Sequence, residues 1–300
     1  MTRSGSSACG GPPVPIFCGI LRPWPAERFG TQFPVQIIRF VDEEGRTCWG
    51  KPETAGHARP LLGDLFGKPV LAAACCVVKR RLPPVDPRNI IAIGRNYREH
   101  AREMKSQTPD AEPLIFLKAT TSIVGPDDEI VLPGSAPSEV DFEAELAVVI
   151  GKTAKDITEA EAPDVIFGYT CSNDVSARDC QKRRDKQWTR GKSFDTFCPI
   201  GPVLVTADEV NPDRLSIQSR LNGVVMQDSN TREMIFPVAA LVSYLSRQFT
   251  LPPGTLILTG TPAGVGSART PPVFLRHGDE ISVEIEGIGA LSNRVRGPEP

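Results

Sequence analysis

Three acidic side chains at spacing two, Asp141, Glu143 and Glu145, are where chemistry could start in this chain. Side chains alternate faces along a strand, so these three would share one face while Val140, Phe142, Ala144 and Leu146 share the other. Ala147-Val148-Val149-Ile150 continues as an unbroken apolar run, the pattern of a strand entering a core. Carboxylates stacked this closely repel one another unless positive charge lies between them. A hard divalent cation with oxygen ligands meets that need, and a solvated acidic edge is the alternative reading.

Asn96-Tyr97-Arg98-Glu99-His100-Ala101-Arg102-Glu103 follows the strand-like Ile90-Ile91-Ala92-Ile93-Gly94. Asn96 reads as an N-cap, with Glu99 completing a capping box. The helix that follows puts His100 and Glu103 on one face. A carboxylate beside an imidazole fixes its orientation and raises its basicity, as a general base requires; an exposed helical ion pair is the alternative. The other two histidines, His57 and His277, lie in polar, loop-like contexts. Tyr97 and Met104 are the only sizeable anchors of this charged segment, so residues 96–105 are predicted to be a lid that is mobile until a ligand arrives.

Further along, a helix from Val175 would gather Asp174, Arg178 and Gln181 on one side. A carboxylate, a guanidinium and an amide suit a metal plus an anionic substrate; a polar helix start is the plainer reading. Arg190-Gly191-Lys192-Ser193-Phe194-Asp195 offers Lys192 in a glycine-containing turn. Thr255-Leu256-Ile257-Leu258-Thr259 reads as a strand leading into Gly260-Thr261-Pro262-Ala263-Gly264-Val265-Gly266. That loop lacks the lysine ending of a phosphate loop and no helix follows it. A backbone-rich turn that holds a carboxylate or keto oxygen fits it better.

The elements that must position these groups divide into three stretches. Residues 1–34 are rich in Gly, Ser and Pro, and read as a disordered extension or a misassigned start. Residues 35–85 read as a small N-terminal β-rich domain, opened by a hairpin in which Ile37–Val41 and Arg46–Trp49 flank Asp42–Gly45. Residues 86–297 alternate strands with few helices. The clearest helix runs from Pro237 to Phe249, with Val238, Leu241, Val242, Leu245 and Phe249 on its core face. Pro163 should shorten or kink a helix begun at Thr158.

The chain has 300 residues, enough for one large domain or two smaller ones. Its net charge of -2 and pI of about 6.0 give no global field for nucleic acid. The basic run Lys182-Arg183-Arg184, with Lys186 and Trp188 nearby, therefore reads as a solvated loop rather than a nucleic-acid patch. Apolar runs are too short or too interrupted to span a bilayer. The eight cysteines contain no C-x-x-C pair, which argues against structural zinc and for free thiols. The first residues lack the pattern of a secretion signal. These features predict a soluble cytoplasmic protein with neither nucleic acid nor membrane as partner.

Taken in order, the motifs GRNYREH, SEVDFEAELAVVIG, NDVSARDCQ, RGKSFD and ILTGTPAGVG resemble the fumarylacetoacetate hydrolase superfamily, in particular its short acylpyruvate hydrolase and oxaloacetate decarboxylase members. The resemblance runs from about Gln36 to Val295. It implies an α+β, predominantly β fold: a mixed β-sandwich roll with a small N-terminal β-rich domain, assembled as a homodimer. It also implies Mg²⁺ or Mn²⁺ held by Glu143, Glu145 and Asp174, with Asp141 outside the ligand set. His100 and Glu103 fall on the family's catalytic dyad, Lys192 joins them as a catalytic residue, and Arg178, Gln181 and Thr261 match positions that contact substrate. Ile93 stands where the long animal hydrolases carry a further acidic ligand, and Cys180 where an aromatic residue is common. The implied substrate is a small 2-oxo acid whose enolate the metal stabilises, with Lys192 and Thr261 holding developing negative charge. Hydrolysis of an acylpyruvate-type 2,4-dioxo acid is the first expectation. Decarboxylation of oxaloacetate, and hydration or dehydration of 2-oxo acids or 2-keto-3-deoxy sugar acids, are the alternatives.

Overall fold

The computed structural model describes residues 35–297 apart from 55, 105–110 and 137; the stretch 1–34 lies outside the described residues. Its main sheet runs in the order Val70–Leu71, His57–Leu62, Thr47–Pro52, Gln36–Val41, Cys198–Thr206, Ile166–Asn173, Ala144–Ile150, Thr255–Leu258, Asn89–Gly94, Leu114–Lys118. A second sheet has the order Ile130–Val131, Gly289–Arg296, Glu280–Ile285, Ser216–Leu221, Val224–Asn230. Val148, Tyr169, Cys171 and Val205 of the first share a core with Ile217, Val283, Ile285 and Leu291 of the second. This is the predicted β-rich sandwich with an N-terminal β-rich part.

The unbroken apolar run Ala147–Ile150 has a direct cause. The opposite face of the main sheet buries Ile90, Ala92, Ala147, Val149, Leu256 and Leu258 in another cluster. A central strand covered on both faces needs apolar side chains at every position. Every residue of Ala144–Ile150 is accordingly buried.

The hairpin forms as predicted, Gln36–Val41 pairing antiparallel with Thr47–Pro52. Its turn is fixed by Asp42, whose Oδ1 accepts from the Glu44 and Arg46 amides at 3.0 and 2.8 Å. Gln36–Val41 also pairs with Cys198–Thr206, so the N-terminal strands continue the main sheet. The helix Val238–Gln248 buries Val238, Leu241, Val242 and Leu245. Phe249 departs from the predicted stripe: the backbone is extended there (φ -139°) and the residue is 43% exposed. Pro163 sits in the first turn of Ala162–Val165, where its missing N–H costs nothing, and no helix starts at Thr158.

What matters for function is which strand ends meet. Thr255–Leu258 and Asn89–Gly94 are parallel neighbours, so the loops leaving them lie side by side. Ala144–Ile150 is antiparallel to Thr255–Leu258 and to Ile166–Asn173, which brings its beginning to the same edge as their ends. All five sequence motifs converge there.

Candidate active site

Glu143 and Glu145 flank the first residue of the Ala144–Ile150 strand, and Asp174 follows the last residue of Ile166–Asn173. One oxygen of each lies within 4.8 Å of the others, and all three side chains are buried. The acidic alternation is therefore not a solvated edge. Asp141 is turned to a different task. Its Oδ1 accepts from the Gly266 amide at 2.8 Å, and its Oδ2 accepts from the Ser267 amide at 2.9 Å and Arg178 Nε at 2.8 Å.

Three buried cations answer these acids. Lys192 Nζ donates to Glu143 Oε2 at 2.6 Å and to Asp174 Oδ2 at 2.5 Å. Lys118 Nζ donates to Asp174 Oδ1 at 2.6 Å. Arg178 pairs with Asp141 and, through Nη1 at 2.7 Å, with Glu143 Oε1. Among the described residues four buried carboxylates thus face three buried cations, and Glu145 alone has no ion pair. Its Oε2 accepts from the Gly260 amide at 2.7 Å. Burial, then the charges of Asp174 and Glu143, push the Glu145 carboxyl well above the usual range. Burial acts the same way on Glu143, but Lys192 and Arg178 outweigh it and hold that carboxyl below the usual range. A surplus buried carboxylate in an all-oxygen cluster fits a hard divalent cation held by Glu143, Glu145 and Asp174.

The dyad lies beside this cluster. His100 Nδ1 is 2.8 Å from Glu103 Oε1, and Glu103 Oε2 accepts from the Gly264 amide at 2.9 Å. His100 is 6% exposed, so the pair is not a surface ion pair. Its helix, Arg98–Glu103, is not capped by Asn96; the N-cap is Tyr97, without a side-chain bond. Asn96 is instead a clamp. Its Nδ2 donates to Thr259 O at 2.8 Å and Phe236 O at 3.0 Å, and its Oδ1 accepts from the Phe236 amide at 2.8 Å. Asn96, Tyr97 and Ala101 are buried, so the root of the predicted lid is packed, and the dyad is formed; Lys105 lies outside the described residues.

The segment after Asp174 corrects another expectation. A short strand, Ser176–Ala177, pairs with Val140–Asp141, and helical structure begins only after it, with a π-helix over Cys180–Arg184. Asp174, Arg178 and Gln181 are still gathered, by hydrogen bonds rather than by one helix face: Arg178 Nη1 donates to Gln181 Oε1 at 2.9 Å. Lys192 ends a single helical turn, Thr189–Lys192. Gly191 lets that turn approach, since a Cβ there would meet Ala177 O and Gln181 N at 2.9 Å.

The Gly260–Gly266 loop is indeed a carboxylate-holding turn, but the carboxylates are the protein's own: Glu145, Glu103 and Asp141. Gly260 takes φ +97°, which an L side chain resists. Thr261 is more constrained than a free hydroxyl. Its Oγ1 donates to Ala144 O at 2.9 Å and accepts from Gln227 Nε2 at 2.7 Å. It therefore offers substrate a lone pair rather than a proton.

These groups border a cavity of about 370 Å³. His100, Glu143, Glu145, Arg178, Gln181, Lys192 and Thr261 line it, together with Ile93, Gly94, Arg95, Met104, Phe116, Lys182 and Trp188. Asp174 and Glu103 stand behind the lining. Sequence reasoning missed Lys118, Gln227 and Arg95. The lone lysine in the apolar strand Leu114–Lys118 was the available signal for the first.

The family model described as fumarylacetoacetate (FAA) hydrolase C-terminal matches residues 89–296. A mitochondrial oxaloacetate tautomerase of Xenopus laevis is 52% identical over 215 residues, covering 71% of this chain and 67% of that protein. The crystal structure of 2-hydroxyhepta-2,4-diene-1,7-dioate isomerase from Mycobacterium marinum matches with a TM-score of 0.77 at 42% identity, over 89% of this chain and 100% of that one. Fumarylpyruvate hydrolase from Pseudomonas aeruginosa, solved with Mn²⁺ and pyruvate, matches with a TM-score of 0.65 at 35% identity, over 73% and 93%. By sequence, fold and the family model together, the chain belongs to the fumarylacetoacetate hydrolase family.

Proposed function

We propose that this protein is a Mg²⁺- or Mn²⁺-dependent enzyme that hydrolyses a C–C bond in a small acylpyruvate-type 2,4-dioxo acid. The observation that carries the reading is one cavity in which a carboxylate cluster with surplus negative charge faces an oriented His–Glu dyad. A divalent cation held by Glu143, Glu145 and Asp174 would polarise the 2-oxo group and stabilise enolate charge. Glu103 occupies His100 Nδ1, so Nε2 is the atom that takes a proton from water. Two of the three Lys192 N–H groups are given to Glu143 and Asp174, and the third is available to an oxygen that gains negative charge. Arg178 and Gln181 orient the substrate acid, and the Thr261 lone pair accepts from an enol or water O–H.

Oxaloacetate is the second reading, favoured by the identity to the Xenopus tautomerase. Moving a proton on oxaloacetate, or releasing carbon dioxide from it, uses the same site without an attacking water. Acylpyruvates, oxaloacetate and 2-keto-3-deoxy sugar acids should be assayed with each cation and after chelation. Metal-dependent cleavage of an acylpyruvate supports hydrolysis. Turnover of oxaloacetate by enzyme inert towards acylpyruvates overturns it in favour of the second reading. The same proposal takes 35–85 as a small domain on a catalytic part spanning 86–297, in a cytoplasmic homodimer. Among the described residues no helix is long and apolar enough to cross a membrane. Sedimentation and cell fractionation test assembly and compartment.

A further inference from the structure

Gln227 is fully buried, and its amide uses both ends. Oε1 accepts from the Ala144 amide and from Ser219 Oγ, both at 2.9 Å. Nε2 donates to Thr261 Oγ1 at 2.7 Å and to Pro262 O at 2.8 Å. Two of these partners are backbone groups with fixed roles, since an N–H only donates and a carbonyl only accepts. They leave the side-chain amide one orientation, with its oxygen towards Ala144 and its nitrogen towards Pro262. Thr261 Oγ1 therefore accepts from Gln227, and its own hydrogen goes to Ala144 O at 2.9 Å. Ala144, Gln227 and Thr261 close a ring of hydrogen bonds in which the hydroxyl is not free to turn.

The ring sits at a joint of the fold. Pairing between Ala144–Ile150 and Thr255–Leu258 covers Ala147 to Val149, and beyond its end side chains take over the backbone groups of Ala144. Gln227 reaches them from Val224–Asn230, a strand of the second sheet. Gly264, at φ +105°, allows that approach, because a Cβ there would collide with Met226 O and press on Gln227 Cα. Ala144 lies between Glu143 and Glu145, so the ring also fixes where Thr261 Oγ1 stands relative to the carboxylate cluster. Thr261 lines the cavity, and Gln227 stands behind it.

We propose that Gln227 is a positioning residue that decides which protonation form of a ligand oxygen the cavity favours. Held by Gln227, Thr261 meets that oxygen as an acceptor, so a hydroxyl or enol O–H is favoured there and a bare oxyanion is disfavoured. Negative oxygen belongs at the third N–H of Lys192 instead. This rests on the proposed function, because it places a 2-oxo acid and its enol in the cavity.

The test compares oxalate, whose oxygens are all acceptors, with glycolate, which carries a hydroxyl beside its carboxylate. Calorimetric titration of the Mn²⁺-loaded protein gives the ratio of oxalate affinity to glycolate affinity within each variant. A loss of packing or of metal weakens both ligands and cancels in the ratio. In Gln227→Met the Thr261 hydroxyl is released and can turn its proton to an anionic oxygen, a better acceptor than a carbonyl. The ratio should rise by about tenfold. In Thr261→Val the opposing lone pair is gone, so the ratio should rise there too, and adding Gln227→Met should change it no further. That non-additivity marks a residue that acts through another. A ratio unmoved by Gln227→Met, or moved equally with and without the Thr261 hydroxyl, overturns the proposal. Should Gln227→Met fail to fold, Thr261→Val decides by its sign: a higher ratio supports an acceptor hydroxyl, and an unchanged or lower one overturns it. An unaltered protein that binds neither ligand overturns the proposed function as well, whereas binding with the wrong ratios overturns this inference alone.

Discussion

His100 owes its competence to what its neighbours have already used up. Glu103 takes Nδ1, and the Gly264 amide takes the other oxygen of Glu103, so the imidazole has one orientation and one free nitrogen. Replacing His100 with Ala should lower acylpyruvate turnover by roughly 10²- to 10⁴-fold, the usual worth of a general base. Glu103→Gln should cost less, because the imidazole stays. An unaltered hydrolysis rate in His100→Ala would remove the base assignment, and surviving oxaloacetate turnover alongside lost hydrolysis would point to the water-free route. Lys192 also balances buried charge. In Lys192→Ala, Glu143 and Asp174 lose a shared cation in a dry site, which should cost about 3–5 kcal/mol in the metal-free protein. Urea denaturation with and without Mn²⁺ measures this, and the loss should shrink when the metal is present. The nine candidate residues could be singled out because their motifs keep a recognisable order, not because their types alone identify them. Lys118 and Gln227 carry no local motif, and only folding brings them to Asp174 and Thr261.

The Asn96 clamp shows where local rules of helix formation lost to tertiary structure. An Asx residue before a charged helix is a sound cap signal, yet its side chain here bonds Thr259 and Phe236, far away in sequence. In the same way, a helix from Val175 was a fair reading of 3.6-residue spacing, but pairing of Ser176–Ala177 with Val140–Asp141 claimed that backbone first. The Val238–Gln248 helix and the first hairpin were legible because their signals are local and no distant partner competes. The clamp sets an expectation for dynamics. Ala101 and Met104 donate to Tyr97 O and His100 O at 3.0 and 3.1 Å, and the helix root is buried, so their amides should exchange slowly in the metal-free protein. Asn96→Ala removes the partner of the buried Thr259 carbonyl, at roughly 1–3 kcal/mol at most, and of the half-buried Phe236 amide and carbonyl, which cost less. It should speed exchange across Arg98–Glu103 and lower turnover while the metal still binds. Equal exchange with and without the Asn96 amide would show that the clamp does not hold the dyad.

At the scale of the whole molecule, the carboxyl of Glu145, which has no ion-pair partner among the described residues, ties folding, pH and metal together. Its raised carboxyl keeps a proton in the folded, metal-free protein that the unfolded chain releases near the ordinary glutamate value of about 4.3. Above that pH the folded state holds more protons than the unfolded state, so this group's contribution to stability falls as pH rises, until its own raised value is passed. Glu143 has the opposite sign. Its folded value is lowered, so its contribution is present above the ordinary glutamate range and is lost as pH falls through the lower folded value. The combined contribution of these two groups to metal-free stability therefore peaks near the ordinary glutamate range. Metal binding requires Glu145 ionised, so it should release a proton and abolish the decline on the alkaline side. Mn²⁺ at 100 times its Kd should add about 2.7 kcal/mol. Glu145→Gln should flatten the metal-free profile on that side, raise metal-free stability at neutral pH, and remove the gain from Mn²⁺. Urea midpoints across pH, with and without Mn²⁺, read all three effects. A metal-free profile that climbs with pH above the glutamate range, or a Glu145→Gln variant still stabilised by Mn²⁺, would show that Glu145 is not the site's uncompensated charge.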